Sequence, residues 1–488
     1  MPTRARLTTM VVIVGWMCLA LACASTVLFP ASLGTVALSF AATAALSADR
    51  RFGPLPAALL VMLVTPYDRA ANIFLPQVAG IPVRPQDAAL LAGLILSVPR
   101  IRRPRSIASP AAAAIAVFLL VGLVAMVVGI LGDNAIRDVL RDVRWWALYG
   151  GGLLALVTGV TASAVVRALL LGTTIFAVLV VCVAVLPAFE DALKLRALEF
   201  DRGLLRMQFG NSTLLLATLA ASTVATIRRP TRSRWAWVVL IATAIGLSLT
   251  RAFIVVAIGV MVVAAIATLL DDRSRPGRAM RPVATGLPAI AFGLGIILAV
   301  AMATFATSVT GFTVSLSLNG PPSSTIVGSK EDPLGRLLLQ SGESGIQLLS
   351  GGRFQTYRRA VEVIAADPVI GSGLGALVVA EYTFGGEEFD TPGKLPNVDN
   401  AWLTVGMKAG LLGIVTFGLM LGLGLLAALR GPRWLRVWLV PAWLGILALT
   451  LTQSFATTGY GPFVIGLLTV LPLLGYADGR AARARGHE

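Results

Sequence analysis

The stretch SPAAAAIAVFLLVGLVAMVVGIL, residues 109–131, carries no charged side chain, and its one polar residue, Ser109, stands at the very start. A helix of that length covers the roughly 30 Å of hydrocarbon in a bilayer. Its continuous apolarity leaves no face for water. Met10 to Phe29, Leu169 to Leu186 and Gly286 to Phe305 read the same way. Across the chain 57% of residues are hydrophobic and 13% charged, and the apolar ones fall in blocks, not at amphipathic spacing. A soluble globular protein is excluded.

Further apolar runs place helices near 8 to 29, 31 to 48, 54 to 67, 86 to 99, 109 to 131, 145 to 162, 166 to 187, 210 to 227, 235 to 250, 252 to 270, 284 to 306, 401 to 429, 437 to 453 and 461 to 477. The third and fourth are short and flanked by proline, so they read as two spans or as a re-entrant pair. The expected fold is an all-α integral membrane protein of about 12–14 transmembrane helices with one large extracytoplasmic loop. Met1 to Phe29 starts like a signal peptide, but its apolar run is too long and no small-residue cleavage site follows, so it reads as a retained first helix.

The formal charge of +16 sits in short arginine clusters between apolar runs, around Arg4, Arg50, Arg102, Arg228, Arg275, Arg433 and Arg483. With Arg167 these hold 23 of the 40 basic residues, against 5 acidic ones, a net +18. An even number of crossings between successive clusters puts all of them on the cytoplasmic face, with both termini. The excess charge therefore reports topology, and no nucleic-acid partner is expected. Cys18, Cys23 and Cys182 lie inside apolar runs and the single histidine is His487, so no disulfide framework, metal site or cofactor site is expected. Arginine outnumbers lysine 36 to 4, a composition typical of a GC-rich bacterial genome.

Three parts follow: an N-terminal transmembrane bundle over 1–306, an extracytoplasmic loop over 307–400, and C-terminal transmembrane helices with a cytoplasmic tail over 401–488. Asp133 to Arg144 and Pro187 to Phe209 are further polar outer segments, each with room for a short interfacial helix. Within the long loop, Phe354, Tyr357, Val361 and Ile364 recur at helical spacing, which predicts a surface helix near 353–366.

Several residues stand where chemistry could occur. Arg251, between two apolar runs, is either a snorkelling interface anchor or an anion ligand in an outward-facing cavity. Arg353 opens the loop helix, where a guanidinium fork suits phosphate oxygens. Arg358 and Arg359 read more simply as a solvated face paired with Glu362. Asp399 and Asn400 precede the helix at Ala401, so one of them is an N-cap; Asp399 also fits a general base.

These residues, in this order, resemble the O-antigen ligase and polysaccharide polymerase superfamily over about 200 to 430. The family's Ser-Arg-Gly between two helices is matched by Thr250-Arg251-Ala252. Its Gly-Arg, aromatic, proline and Gly-x-Gly are matched by Gly352-Arg353, Tyr357, Pro368 and Gly371-Ser372-Gly373. Its His-Asn followed by Gly-Leu-Leu-Gly is matched by Asp399-Asn400 and Gly410-Leu411-Leu412-Gly413, and a further Asn by Asn211. Asp399 thus stands where the family has a histidine, and Arg251 has Thr and Ala as neighbours. The resemblance implies a glycosyltransferase of the bacterial cytoplasmic membrane, acting at its outer face. Its expected partners are a polyprenyl-diphosphate-linked glycan and a glycan, lipid or protein acceptor. Catalytic roles would fall to Asp399, Arg353 and Arg251, and substrate contacts to Arg251, Arg353, Arg206, Tyr357, Asn400 and Asn211. A transporter or lipid-linked glycan flippase, and a non-catalytic assembly component of the same fold, remain alternatives. No internal repeat is evident, and no intramembrane acid of the kind an ion pathway needs stands out.

Overall fold

A computed structural model describes residues 2–28, 33–49, 51–65, 77–78, 81–101, 109–185, 198–201, 204–207, 214–248, 251–273, 283–310, 356–380, 383–384, 387–388, 393–395, 397–457 and 459–485. These residues form an all-α membrane protein, with four two-stranded β ribbons in its connections. Among them six helices are long and apolar enough to cross a membrane: Thr8–Ser25, Pro110–Leu131, Ala162–Cys182, Ala252–Asp271, Ala401–Arg430 and Gly461–Arg480. Leu33–Leu46, Pro54–Val64, Leu215–Arg228 and Gly286–Met302 are shorter apolar helices.

The chain opens with α1 (Pro2–Leu28), α2 (Leu33–Leu46), α3 (Pro54–Val64) and α4 (Pro85–Ser97), packed on one another in sequence. In α4, the Asp87 carboxylate accepts a hydrogen bond from the Arg84 backbone N–H at 2.7 Å and caps the first turn. Next come α5 (Pro110–Leu131), α6 (Ile136–Leu148), α7 (Gly151–Val157) and α8 (Ala162–Val185). Ser109 caps α5 by accepting from the Ala112 N–H at 3.2 Å, with Pro110 in the first turn, where its missing N–H costs nothing.

α9 (Leu215–Arg228), α10 (Arg232–Gly246), α11 (Arg251–Arg273) and α12 (Val283–Thr310) follow, α10 lying on α12 and α9 on α11. A helix over 356–366, α13, precedes the helical stretch α14 (Ala401–Arg430), then α15 (Arg433–Thr450) and α16 (Gly461–Arg485). Exposed leucines and valines run along α5 (Val117, Leu120, Val124, Val127, Leu131) and along α14 from Leu411 to Leu429. Such stripes on a folded chain belong against lipid.

One end of the bundle is fixed by charge. Asp271 of α11 accepts from Arg228 of α9 at 2.8 Å, and Arg433 of α15 binds both its carboxylate and, at 2.6 Å, its backbone carbonyl. α15 runs from this arginine-rich end to Thr450 at the opposite end.

Two helices differ from the sequence reading. The span expected at 145 to 162 starts at Ile136 and is broken between Leu148 and Gly151 into α6 and α7. Residues 137–144, expected in a polar outer segment with room for a short interfacial helix, form the first part of α6; Arg137 is exposed, Asp138, Arg141 and Arg144 are half-buried, and Asp142 is fully buried. The helix expected over 401 to 429 is not a single rod, because it folds back at Gly410.

Candidate functional site

Gly410 has φ 60 and ψ −156, a backbone conformation closed to residues with a Cβ, and there the chain reverses. Trp402 and Gly418, equally far on either side of the bend, lie side by side: a Cβ on Gly418 would meet the Trp402 ring at 3.2 Å. Gly413 likewise touches Val405 and Ala409. α14 is therefore a hairpin with a first arm over 401–409 and a second over 411–430. The second arm alone is about 30 Å long at 1.5 Å per residue, enough to cross a bilayer.

A bend in an apolar helix leaves backbone groups unpaired, and these need partners when water is absent. The segment 367–375 supplies them. The Leu411 and Leu412 N–H groups donate to the carbonyls of Pro368 and Val369 at 2.8 and 3.1 Å, and Ser372 N–H donates to Met407 O at 2.9 Å. Leu374 N–H reaches Ala125 O of α5 at 2.8 Å, and Asn134 Nδ2 donates to the carbonyls of Ser372 and Leu374. Gly373, at φ 82, lies so close to α5 that a Cβ there would stand 2.2 Å from the Gly129 nitrogen.

The first arm is locked by charge. Lys408 and Asp142 of α6, both 0% exposed, form an ion pair, and Asp142 Oδ2 also accepts from Gly375 N–H at 2.8 Å. Trp145 Nε1 donates to the other carboxylate oxygen at 3.3 Å. Asp142 is thus an acid inside the bundle that the sequence reading missed, and its bonds make it a latch. Lys408 interrupting an apolar run was the available signal, since a lysine there demands a partner. Phe118 stacks on Trp146 at 4.5 Å and lies 5.6 Å from Phe417, which is 5.2 Å from Trp402, so aromatic contacts join α5, α6 and both arms.

Asp399 and Asn400 open the first arm. The nine residues of that arm, at about 1.5 Å each, set them about 14 Å below the bend. Asn400 is the N-cap: its Oδ1 accepts from the Trp402 and Leu403 N–H groups at 2.9 and 3.1 Å, and its Nδ2 donates to Leu451 O, just past α15, at 3.0 Å. Thr404 Oγ1 accepts from Val398 N–H at 3.1 Å and steadies the turn before the cap. The Asp399 carboxylate is exposed on this fixed turn, and its backbone carbonyl accepts from the Tyr357 hydroxyl at 2.8 Å. Two residues earlier, Asn397 Oδ1 is buried with no hydrogen-bond partner among the described residues, a polar atom that the sequence reading did not single out.

α13 lies along the first arm. Ala360 packs with Val378, Val398 and Met407, and Ile364 meets Gly406. Val361, expected on the apolar face, is 52% exposed, because Ala360 and Val363 take the contact side; Phe354 lies outside the described residues. Glu362 accepts from Arg358 Nε at 3.1 Å and Arg359 Nη1 at 2.9 Å, the solvated pairing expected of them. Those hydrogen bonds, Arg359 first, hold its carboxyl below the usual carboxylate range.

Arg251 is the first residue of α11. α11 and α15 run antiparallel, with Val256 and Val260 against Gly445, which carries the Arg251 backbone to about the level of Leu451, the residue holding Asn400. The start of α11 and the cap of α14 thus share the end of α15. Arg206 lies in a strand (Leu204–Met207) opposite Glu199 of Leu198–Asp201, and that ribbon touches α12. Arg353 and Asn211 lie outside the described residues. Of the expected site residues, the fold unites Tyr357, Asp399 and Asn400 directly.

Replacing Asn400 by Ala removes two cap bonds and the tie to α15. The expected loss is about 1–2 kcal/mol, read as a lower unfolding midpoint of the detergent-solubilised protein. An unchanged midpoint would show that the cap carries no weight.

No curated protein matches the chain. A family model does match, over residues 236–418, which takes in Arg251, Arg353, Tyr357, Asp399 and Asn400 and leaves out Arg206 and Asn211. The model is described as O-antigen ligase, and the stretch it matches, which runs through the hairpin at Gly410, is similar to that family.

Proposed function

We propose that the chain transfers glycan from a polyprenyl-diphosphate donor to a hydroxyl acceptor at the outer face of the bacterial cytoplasmic membrane. Both termini are then cytoplasmic and the 307–400 loop extracytoplasmic. The observation that carries this reading is the Asp399 carboxylate, presented from a capped, latched turn within the family-matched stretch. The arginine-rich end of the bundle is the cytoplasmic one by the positive-inside rule, so the Asp399 end is the outer one. A site about 14 Å below the bend receives a lipid-borne diphosphate laterally.

In the reaction, the acceptor hydroxyl gives its proton to Asp399 while its oxygen attacks the anomeric carbon of the glycan. The bond from that carbon to the phosphate oxygen breaks, and the polyprenyl diphosphate leaves with the electron pair. Arg251 and Arg353 stabilise the charge on the departing diphosphate. The product has inverted configuration, and Asp399 returns its proton to solvent.

Asp399→Ala is expected to lower transfer by about 10²–10⁴, the contribution of one positioned base, with membrane abundance unchanged. Asp399→His should retain activity if the aspartate occupies the family's histidine position. Turnover unaltered in Asp399→Ala removes Asp399 from the mechanism. In a deletion strain, shortened surface chains identify a polymerase and accumulated lipid-linked chains a ligase. Counterflow of lipid-linked glycan into vesicles without covalent product would favour a transporter instead.

A further inference from the structure

Away from the candidate site, a lateral groove of about 650 Å³ runs between α8, α10 and α12 and begins at Pro230 and Arg232, at the arginine-rich end of the bundle. Its walls are pinned. Trp237 Nε1 of α10 donates to Thr174 Oγ1 of α8 at 2.9 Å, and α10 meets α12 so closely that a Cβ on Gly295 would stand 2.5 Å from the Ala242 Cβ. Beside that seam α10 lines the groove from Arg232 to Thr243, and α12 lines it from Leu287 to Leu298. Each wall rises eleven residues, about 16 Å at 1.5 Å per residue, against about 15 Å for half the hydrocarbon core. The groove is therefore one leaflet deep.

Its polarity runs one way. At the far end the Thr243 hydroxyl donates back to Val239 O at 2.8 Å, which leaves no free donor there. At the mouth Arg232 is exposed, as is Arg229 beside it, and neither guanidinium has a partner among the described residues. Their neighbours are engaged: Arg228 donates to Asp271 at 2.8 Å and Arg234 Nη1 to Ala225 O at 2.6 Å. Residues 227–235 contain no acid. Trp235, which also lines the groove, has the amphipathic ring that settles at headgroup level.

An acyl chain gains little by leaving lipid neighbours for an apolar groove, because both surroundings are equally apolar. Preference for one lipid must then come from its headgroup. A second groove of about 620 Å³, on α2 and α4, offers no such preference. Asp87 on its wall is bonded to Arg144 at 2.5 Å, and both are bonded to the Tyr460 hydroxyl at 2.9 Å, so the charge is met within the fold.

We propose that the groove between α8, α10 and α12 binds one anionic phospholipid, with an acyl chain along α10 and the phosphate at Arg232 and Arg229. A guanidinium fork takes phosphate oxygens in paired geometry. The site lies at the opposite end of the bundle from Asp399, so its occupant is a structural lipid and takes no part in glycan transfer.

The test is native mass spectrometry of the full-length protein in detergent, with phosphatidylglycerol and phosphatidylcholine of the same acyl chains as probes. Wild type should favour phosphatidylglycerol by about 5- to 25-fold, since each basic residue beside an anionic headgroup contributes about a factor of five. Arg232→Gln should weaken phosphatidylglycerol by about fivefold and leave phosphatidylcholine unchanged. Ala236→Trp keeps every arginine but fills the groove, and should abolish the preference. Arg232 and Ala236 are both exposed, so unfolding midpoints without added lipid should match wild type. Equal retention of the two lipids by wild type, or a wild-type preference in Ala236→Trp, overturns the assignment. Displacement of phosphatidylglycerol by an equal concentration of a polyprenyl phosphate gives the groove to the donor's chain and overturns it as well. The transfer reading stands or falls separately, on the Asp399 variants.

Discussion

Arg353→Ala and Arg251→Ala, made singly, should each cut glycan transfer by about 10²–10³, the loss seen when one charge-stabilising donor is removed from a transition state. The effect falls on the chemical step, since the negative charge on the leaving diphosphate grows as the glycosidic bond breaks. Arg251 stands at the start of α11, level with the end of α15 and so with Asn400, which suits a cation that meets the donor beside Asp399. Lysine at either position restores charge without the fork, and partial activity is expected. The readout is surface glycan length and attachment, with membrane abundance measured in the same cells. Wild-type glycan in both alanine variants would remove the arginines from the mechanism.

Lys408→Met has the second large effect, and it acts through the fold. Asp142 is 0% exposed, and without Lys408 the cation left to it among the described residues is Arg141, whose Nε lies 3.7 Å away, so the expected cost is about 3 kcal/mol, the low end for a broken buried pair. The hairpin's first arm should loosen, and transfer should fall with it, because that arm begins at Asp399. Lys408→Met/Asp142→Asn removes both charges while leaving an oxygen for the Gly375 N–H, so most of the stability should return. Unfolding of the solubilised protein, followed by heat or denaturant, separates the two variants. Equal midpoints for Lys408→Met and wild type would show that the latch bears little of the load.

The helical hairpin shows why a close reading of the chain stopped short. An apolar run from 401 to 429 has one simple interpretation, since length and hydropathy do not encode direction. Gly410 was visible, and so was the Gly-Leu-Leu-Gly of the family, but a glycine in an apolar helix is more often a packing position than a reversal. What makes the reversal stable is remote in sequence: the carbonyls of Pro368 and Val369, which take the N–H groups that the bend exposes. The same holds for α6, whose arginines and aspartates read as a polar outer segment until Lys408 and Asp87 arrive from other helices.

By itself the sequence determined the class of protein, because burying so many apolar side chains in long blocks is possible only in lipid. It also placed thirteen helices close to where they stand, paired Glu362 with its arginines, and drew together in one ordered set the residues of the family-matched stretch. Only the tertiary structure decided where those residues sit. A carboxylate that the sequence placed just before a helix became the exposed end of a folded-back arm, and of the two cap candidates Asn400 became the cap. Charges scattered along the chain became a latch at Asp142 and a framed guanidinium at Arg144. The reason is physical: hydropathy is a local property of the chain, whereas the pairing of buried charges and of backbone groups freed at a bend depends on segments hundreds of residues apart.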